Sequence, residues 1–251
     1  MVRRNELVAY LDTLLASGSF RDSCPNGLQV EGRAQIHRLV TGVTANLALL
    51  REAQERNADA VLVHHGYFWK GEAPTVVGMK QRRLKQLLAA DISLLAYHLP
   101  LDAHPVYGNN AQLARLLELC PDGGLEEGDT AIGMVGHLAS PMSAAEFAGV
   151  VEERLQRAPF HVAAGPPLIN TIAWCSGGAQ SLIGCAVERG VDAYLTGEVS
   201  EPTVHIAREC GIHFFAAGHH ATERYGVQAL GEHLAQRFGV EHHFVDIDNP
   251  V

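Results

Sequence analysis

Histidines and carboxylates recur together in three separate segments of this 251-residue chain. The segments are His64-His65, His98 with Asp102, and His219 with Glu223. Each directly follows an apolar run of the kind that forms a buried strand. A spacing of four residues in a helical turn puts both side chains on one face, with Cβ atoms about 5–6 Å apart. Imidazole and carboxylate groups brought together in this way predict a metal site.

Adjacent histidines need a special backbone position to serve one pocket. Successive side chains of a strand point to opposite faces, so we expect the strand Ala60–Val63 to end before His64 and His65. Gly66 permits such an ending. In a site with two cations about 3.5–4 Å apart, neighbouring imidazoles can each bind a different ion while one carboxylate bridges both. A ligand set without thiolates suits zinc, iron, manganese or nickel, and the sequence does not choose among them.

Ligands collect beyond the carboxyl ends of strands in open α/β sheets, which favours metal binding at these three segments. The predicted metal ligands are His64, His65, Asp102, His219 and Glu223. For His98 three roles are open: ligation, proton transfer, or orientation of Asp102. The ordinary interpretation, a surface or hydrogen-bonded side chain, fits most other histidines, namely His37, His104, His137, His161, His205, His213, His233, His242 and His243.

Composition limits the class of protein. A hydrophobic content of 47% allows one large core or two smaller ones. The excess of 28 acidic over 19 basic side chains argues against a general affinity for nucleic acid, although a local basic patch or a ring-shaped assembly could still provide one. Five cysteines without a C-x-x-C spacing are typical of reduced, packed thiols and predict a cytoplasmic protein. No apolar run approaches the length of a membrane span.

An internal repeat relates the two halves of the chain. A shift of 133 residues aligns residues 49–62 with 182–195 without a gap, and seven of the positions are identical. Each copy has the pattern strand, small-residue turn, helix, strand, which predicts a βαβ unit with parallel strands and a right-handed crossover. At the end of the second copy, Glu198 stands at the position of His65. Two related halves therefore contribute strand ends to the predicted site.

The repeat extends into the following strand. Residues 214–217 match residues 93–96, and this alignment places His219 at the position of His98. The histidine and the carboxylate four residues later thus occur in both halves.

The predicted fold is α/β, with two related α/β halves and the metal site in the cleft between them. The first half is residues 1–125 and the second is residues 126–251, and the segment from about residue 216 is expected to pack on the first half. The linker is predicted at Cys120–Gly124 and residues 126–129, because proline, glycine and acidic residues are typical of connections.

Four short motifs resemble those of the Nif3 family, also known as the GTP cyclohydrolase 1 type 2-like family, and especially its short bacterial YbgI-type members. The motifs are Val63-His64-His65-Gly66, His98-Leu99-Pro100-Leu101-Asp102, Thr196-Gly197-Glu198 and Gly218-His219-His220-Ala221-Thr222-Glu223. The likeness also includes residues 25–32 and 67–72. It spans nearly the whole chain.

The resemblance implies a two-metal centre and a toroidal homohexamer whose sites face an internal cavity. Its implied ligands are His64, His65, Asp102, His219 and Glu223, with His98 alongside. In one departure, many members have His-Thr-Asn where this chain has His98-Leu99-Pro100. Asp102 remains in place, so the departure does not affect the implied metal ligands. It affects only the roles that the missing threonine and asparagine have in other members. The extra domain that longer members insert between the halves is absent at this length.

Two functions follow from these observations. In the first, the chain is a metal-dependent hydrolase, in which His98 or Glu198 moves protons if it lies within hydrogen-bond reach of the attacking water. The resemblance implies a nucleotide or other purine-type substrate, with GTP ring opening as the family's named activity. In the second, the chain is a non-enzymatic metal-binding scaffold or regulatory partner. Ligands alone do not separate the two, since catalytic sites differ by an open coordination position.

Overall fold

The computed structural model describes residues 1–128 and 130–251, so Asp129 of the predicted linker lies outside the described residues. The described residues form two compact units. One unit consists of Met1–Gly108 with Gly226–Ile247, and the other of Asn109–Tyr225 with Asp248–Val251. The chain thus changes unit at Gly108–Asn109, before the division proposed near residue 125, and most of the segment beyond residue 216 belongs to the first unit.

Helices and strands are interspersed along the described chain. The strands are β1 (Val2–Arg3), β2 (Gly27–Val30), β3 (Gln35–Ile36), β4 (Arg38–Thr44), β5 (Ala60–His65), β6 (Ser93–Ala96), β7 (Leu119–Gly124), β8 (Met134–Met142), β9 (Phe160–Val162), β10 (Ile169–Trp174), β11 (Ala193–Thr196), β12 (His213–Ala216) and β13 (Glu241–Phe244). The α-helices are α1 (Arg4–Leu14), α2 (Leu47–Glu55), α3 (Gly78–Ala90), α4 (Leu99–Ala103), α5 (Asn109–Leu116), α6 (Ala144–Leu155), α7 (Ile183–Glu188), α8 (Glu201–Cys210) and α9 (His219–Phe238). Short 3-10 turns lie at Ser17–Ser19 and Gln180–Leu182.

The first unit is built on a five-stranded sheet with the strand order β13-β4-β5-β6-β2. Its first four strands are parallel, and β2 is antiparallel to β6. Successive residues of β5 enter two different cores: Val61 and Val63 pack with residues of α2 and α3, whereas Ala60 and Leu62 pack with residues of α1 and α9. Burial of both faces explains why β5 is apolar from Ala60 to Val63 instead of alternating.

The second unit contains a six-stranded sheet with the order β7-β8-β10-β11-β12-β9. Strands β10, β11 and β12 are parallel, and the flanking strands are antiparallel. Ile172 and Trp174 enter the core formed with α5 and α6, whereas Ala173 and Tyr194 enter the core formed with α7. Both units therefore contain a mixed sheet whose central strands are parallel and covered on two faces, as expected for an α/β fold.

The internal repeat is present in the strand pairing itself. In the first unit Val40 pairs with Val61, and in the second Ala173 pairs with Tyr194, at positions 133 residues later. The next strand shows a difference from the sequence alignment. Since Val61 pairs with Leu94 and Tyr194 pairs with Phe214, Phe214 is equivalent to Leu94 and not to Ser93. The alignment was wrong by one residue because apolar strands match one another equally well in neighbouring registers.

An aspartate follows the helix of the repeat in each unit, and it is buried in the first unit (Asp59) and half-buried in the second (Asp192). Asp59 Oδ2 accepts hydrogen bonds from the backbone N–H groups of His37 (2.7 Å) and Arg38 (2.9 Å). Asp192 Oδ2 accepts the equivalent bonds from Asn170 and Thr171. Burial alone would raise the pKa of Asp59, but these N–H groups and the Arg33 guanidinium hold it below its ordinary value. The shared identity at this repeat position thus fixes the start of a central strand.

The predicted linker Cys120–Gly124 is a strand, and that prediction was wrong. Residues of β7 pair with β8, with a register shift between Pro121 and Gly123. Proline lacks a backbone N–H group, so it is tolerated in a strand only at an edge or a bulge. Strand β7 is the edge strand of its sheet. A composition typical of turns therefore belongs here to an exposed sheet edge.

In the described part of the chain no disulfide bond joins the cysteines, and they are not uniformly packed. Cys24 and Cys175 are buried, whereas Cys210 is exposed. Among the described residues, no helix combines the length and the apolar character that crossing a bilayer requires.

We expect Asp59→Asn to lower the free energy of unfolding by about 1.5–3 kcal/mol at neutral pH, because an amide replaces a carboxylate bonded to two N–H groups. The pKa of Asp59 is depressed in the folded chain, so the wild type loses this stabilisation as the pH falls below about 4. Denaturant unfolding should show a smaller difference in free energy of unfolding between the wild type and Asp59→Asn at about pH 3 than at pH 7. The exposed Asp248 provides a control variant, Asp248→Asn. An equal difference at both pH values would contradict the assignment.

Candidate functional site

Three imidazole rings meet in the first unit, where β5 and β6 end. The ring centroid of His64 lies 4.6 Å from that of His65 and 5.0 Å from that of His98. Each of the three offers a ligand atom, and these atoms lie within 4.8 Å of one another. The strand β5 runs through His65, so the expectation that it ends before His64 was wrong. The two rings nevertheless lie close together, beyond the point where β6 ends at Ala96, opposite Val63.

Each of these imidazoles has its Nδ1 atom beside an oxygen. His64 Nδ1 donates to the carbonyl oxygen of Tyr97 (3.0 Å), and a carbonyl can only accept. His65 Nδ1 lies 3.2 Å from Thr44 Oγ1. His98 Nδ1 lies 2.7 Å from Asp22 Oδ1. In metal sites a histidine typically donates its second N–H to such a group, and this fixes the ring and presents Nε2 as the ligand.

Asp102 completes this cluster from α4, the helix capped by His98. Its side chain is buried, and Oδ1 lies 3.5 Å from His64 Nε2. The backbone N–H of Asp102 donates to the carbonyl of His98 (3.1 Å), so the two residues share one helical turn as their spacing predicted. Proline at the second helix position is compatible with this short helix, because the first N–H groups of a helix have no partner within it.

Asp22 organises the cluster and was missed by sequence reasoning. Besides His98, it accepts hydrogen bonds from the N–H of Leu99 (3.0 Å) and from the amide of Asn26 (3.0 Å). Asn26 Oδ1 in turn accepts from the N–H of His98 (2.7 Å). Burial would raise the pKa of Asp22, but its hydrogen bonds and the charge of His98 hold it well below its usual range. The available signal was an aspartate and an asparagine in one turn, and such residues commonly bond to nearby backbone groups.

The second unit places His219 and Glu223 on the first turns of α9. His219 Nε2 lies 3.2 Å from Glu223 Oε2, as expected for residues four apart in a helix. His219 Nδ1 lies 2.6 Å from Glu198 Oε1. Burial opposes a charge on His219, but the hydrogen bonds and charges of Glu223 and Glu198 raise its pKa to about 9. Glu198, predicted as a proton-transfer group, therefore also orients the imidazole of His219.

A glycine allows these side chains to approach the backbone. Gly177 has a positive φ of 66°, and an added Cβ would collide with Glu223 Oε1 and lie 3.1 Å from His219 Nε2. Its N–H donates to Thr222 Oγ1 (2.9 Å). The packing of His219 and Glu223 against the backbone therefore requires glycine at position 177, in addition to the tight turn expected from the sequence.

The donor chemistry of both clusters fits a divalent cation. Imidazoles whose Nδ1 atoms are held by oxygens, together with the buried carboxylates of Asp102 and Glu223, suit zinc, iron, manganese or nickel. Cys24 lies near Asp22 and His98, but burial raises the pKa of its thiol to about 12, which disfavours the thiolate needed for ligation. The clusters are thus able to bind metal through nitrogen and oxygen.

Other histidines have ordinary structural contacts. His205 is exposed on α8 and pairs with Glu201 on the preceding turn at 3.0 Å. His233 lies between the hydroxyl groups of Tyr10 (2.5 Å) and Tyr107 (2.9 Å). These residues provide control positions for metal-binding measurements.

We expect Asp102→Asn to lower the metal content of the loaded protein, because Asp102 is a predicted metal ligand and an amide is a weaker ligand than a carboxylate. The wild type should hold roughly two ions per chain, since shared carboxylates suit a pair of cations. His205→Ala should leave the content unchanged. Elemental analysis after metal loading and gel filtration measures the metal content of the wild type and of both variants. Equal loss in both variants, or a wild-type ceiling of one ion, would contradict the ligand assignment.

A second expectation concerns Glu198. Replacement of a group that orients a ligating histidine typically weakens metal affinity by about 10–100-fold, so we expect Glu198→Gln to do so. Glu201→Gln, on the exposed face of α8, is the matched control and should bind metal like the wild type. Chelator competition provides the measurement. If Glu198→Gln bound metal normally but lost turnover, the orienting role would be wrong and the proton-transfer role would remain.

Comparison with known proteins assigns the chain that carries these clusters to a family. The model of the family Duf34/NIF3 (NGG1p interacting factor 3) matches residues 2–250. A Pseudomonas aeruginosa protein named GTP cyclohydrolase 1 type 2 homolog is 63% identical, with 97% of each chain covered. A Vibrio cholerae protein of the same name is 52% identical, with 98% of each chain covered.

Solved structures agree over the full length. A protein named ybgI, described as of unknown function, has a TM-score of 0.97 at 51% identity, with 100% of both chains covered. The protein TTHA1606 from Thermus thermophilus has a TM-score of 0.91 at 35% identity, also with 100% of both chains covered. The expected resemblance is confirmed, and the chain belongs to the Duf34/NIF3 family.

Proposed function

We propose that this protein is a metal-dependent hydrolase with two divalent cations per chain that acts on a nucleotide-like small molecule. One observation carries the proposal: His64, His65 and His219 all have Nδ1 held by an oxygen atom. Such a set of fixed imidazoles is what a metal site requires, because each ring then offers Nε2 in a fixed direction. That the clusters of the two units serve one dinuclear centre stays a prediction, which metal stoichiometry tests.

Cations bound there would lower the pKa of a bound water towards neutrality and polarise the bond under attack. The chain's own contribution is positioning and proton transfer. Asp22 holds His98 with a proton on Nδ1, so Nε2 is the atom that can accept a second proton. The carboxylate of Asp22 then stabilises the imidazolium. His98 is thus suited to act as a general base.

The names of the relatives support the class of substrate. Curated relatives in several bacteria are called GTP cyclohydrolase 1 type 2 homologs. A cyclohydrolase adds water to a ring, and this reaction needs an activated water and a proton carrier. The six-subunit ring that the resemblance implies belongs to the same proposal.

We expect the metal-loaded wild type to hydrolyse at least one compound in a panel of purine and pyrimidine nucleotides that includes GTP. His64→Ala should lose this turnover because a buried ligand is removed, while circular dichroism shows retention of the fold. Asp102→Asn, which keeps the size of the side chain, covers the case in which His64→Ala does not fold. His205→Ala should retain activity. Equal turnover by metal-free protein would contradict the metal mechanism, and metal binding without any turnover would favour the scaffold function.

A further inference from the structure

Trp69 lies beside the histidine cluster of the first unit. Its ring centroid is 5.0 Å from that of His98, with the two planes at 82°, and 6.0 Å from that of His65. The indole is half-buried. The second tryptophan of the chain, Trp174, is fully buried and donates from Nε1 to the carbonyl of Asn110. One tryptophan therefore belongs to a core, and the other lines the candidate site.

The segment that carries Trp69 is held rigidly. Gln29 bonds to both the N–H (2.7 Å) and the carbonyl (3.1 Å) of Tyr67, and the N–H of Lys70 donates to the carbonyl of Ser23 (2.7 Å). Trp69 Nε1 donates to the carbonyl of Gly66 (3.2 Å). The indole is thus placed in advance of any ligand, which reduces the entropy lost on binding.

The backbone beside Trp69 is strained. Phe68 has a φ of 64°, a region that bulky residues rarely adopt. Such strain persists only where the surrounding bonds enforce it, and it is concentrated at functional sites. Gly66 also has no space for a side chain, because a Cβ would lie 2.6 Å from the Cβ of Ala96. The chain tolerates these constraints in the segment that presents the indole to the cluster.

The chemistry of the indole defines what it can bind. Its N–H already donates to Gly66, so the remaining surface offers only the flat π system. Planar heteroaromatic rings stack on such surfaces whatever their hydrogen-bonding pattern. The neighbouring imidazoles and carboxylates would act on the polar part of the same ligand.

We propose that Trp69 is a stacking wall for the planar heteroaromatic ring of the substrate, a role that rests on the proposed function and defines its substrate class. Aromatic stacking contributes to ring-bearing ligands and nothing to a ligand that has only phosphates. Trp69 would therefore discriminate between GTP and inorganic tripolyphosphate, which shares the phosphate chain but lacks the ring.

The test compares wild type, Trp69→Leu and the control Phe160→Leu, which removes an exposed aromatic ring of β9. The probes are GTP, free guanine and tripolyphosphate, followed by calorimetry and tryptophan fluorescence. We expect Trp69→Leu to bind GTP roughly 5- to 100-fold more weakly. Tripolyphosphate affinity and metal content of Trp69→Leu should match the wild type, and Phe160→Leu should bind all three probes like the wild type. Because Trp174 is buried, quenching by GTP should disappear in Trp69→Leu.

Each outcome decides the matter. Equal GTP affinity in wild type and Trp69→Leu overturns the stacking role while leaving the hydrolase proposal intact. An equal loss of tripolyphosphate affinity also overturns it, because the variant would then have damaged the site. If the wild type does not bind GTP, the nucleotide proposal fails, and free guanine decides the role of Trp69. Quenching of Trp69 fluorescence by guanine upholds the role, and its absence overturns it.

Discussion

The hydrogen bond between an imidazole Nδ1 and an oxygen atom is the interaction on which the candidate site depends. It occurs at His64, His65, His98 and His219, whose partners are a backbone carbonyl, a hydroxyl and two carboxylates. Each bond removes the rotation of a ring and decides which nitrogen faces outward. The strands, turns and glycines around the clusters serve to bring these oxygens within reach.

The two units share a repeated βαβ scaffold but use different residue types to hold their histidines. In the first unit His65, at the end of β5, is a candidate ligand, and at the equivalent position of the second unit Glu198 instead holds His219. The repeated aspartates Asp59 and Asp192 keep the central strands of both units in the same register. A shared framework has therefore retained its backbone interactions while the residues at its strand ends diverged in role.

The sequence predicted the scaffold and the donors better than it predicted their surroundings. Local patterns suffice for the βαβ repeat and for the turn shared by His219 and Glu223, because both depend on periodicity within a short stretch. The partner of His98 was not predictable, since Asp22 is 76 residues away and only the fold brings it near. The sequence also did not predict Trp69 as a site residue, because a tryptophan after a strand is more often part of a core. Local residue patterns in a single sequence do not show which distant residues come into contact.

Strand β7, with its proline, its glycines and Asp122, has a consequence for how the protein behaves at high concentration. An exposed sheet edge offers unpaired N–H and carbonyl groups to the strands of other molecules, which is a common route to aggregation. Pro121 removes a donor, the register shift after it bends the edge, and exposed Asp122 adds a charge that repels a like-charged neighbour. At the opposite edge, β9 is only three residues long. The second unit thereby keeps a wide, mostly apolar sheet without offering other chains a strand to join.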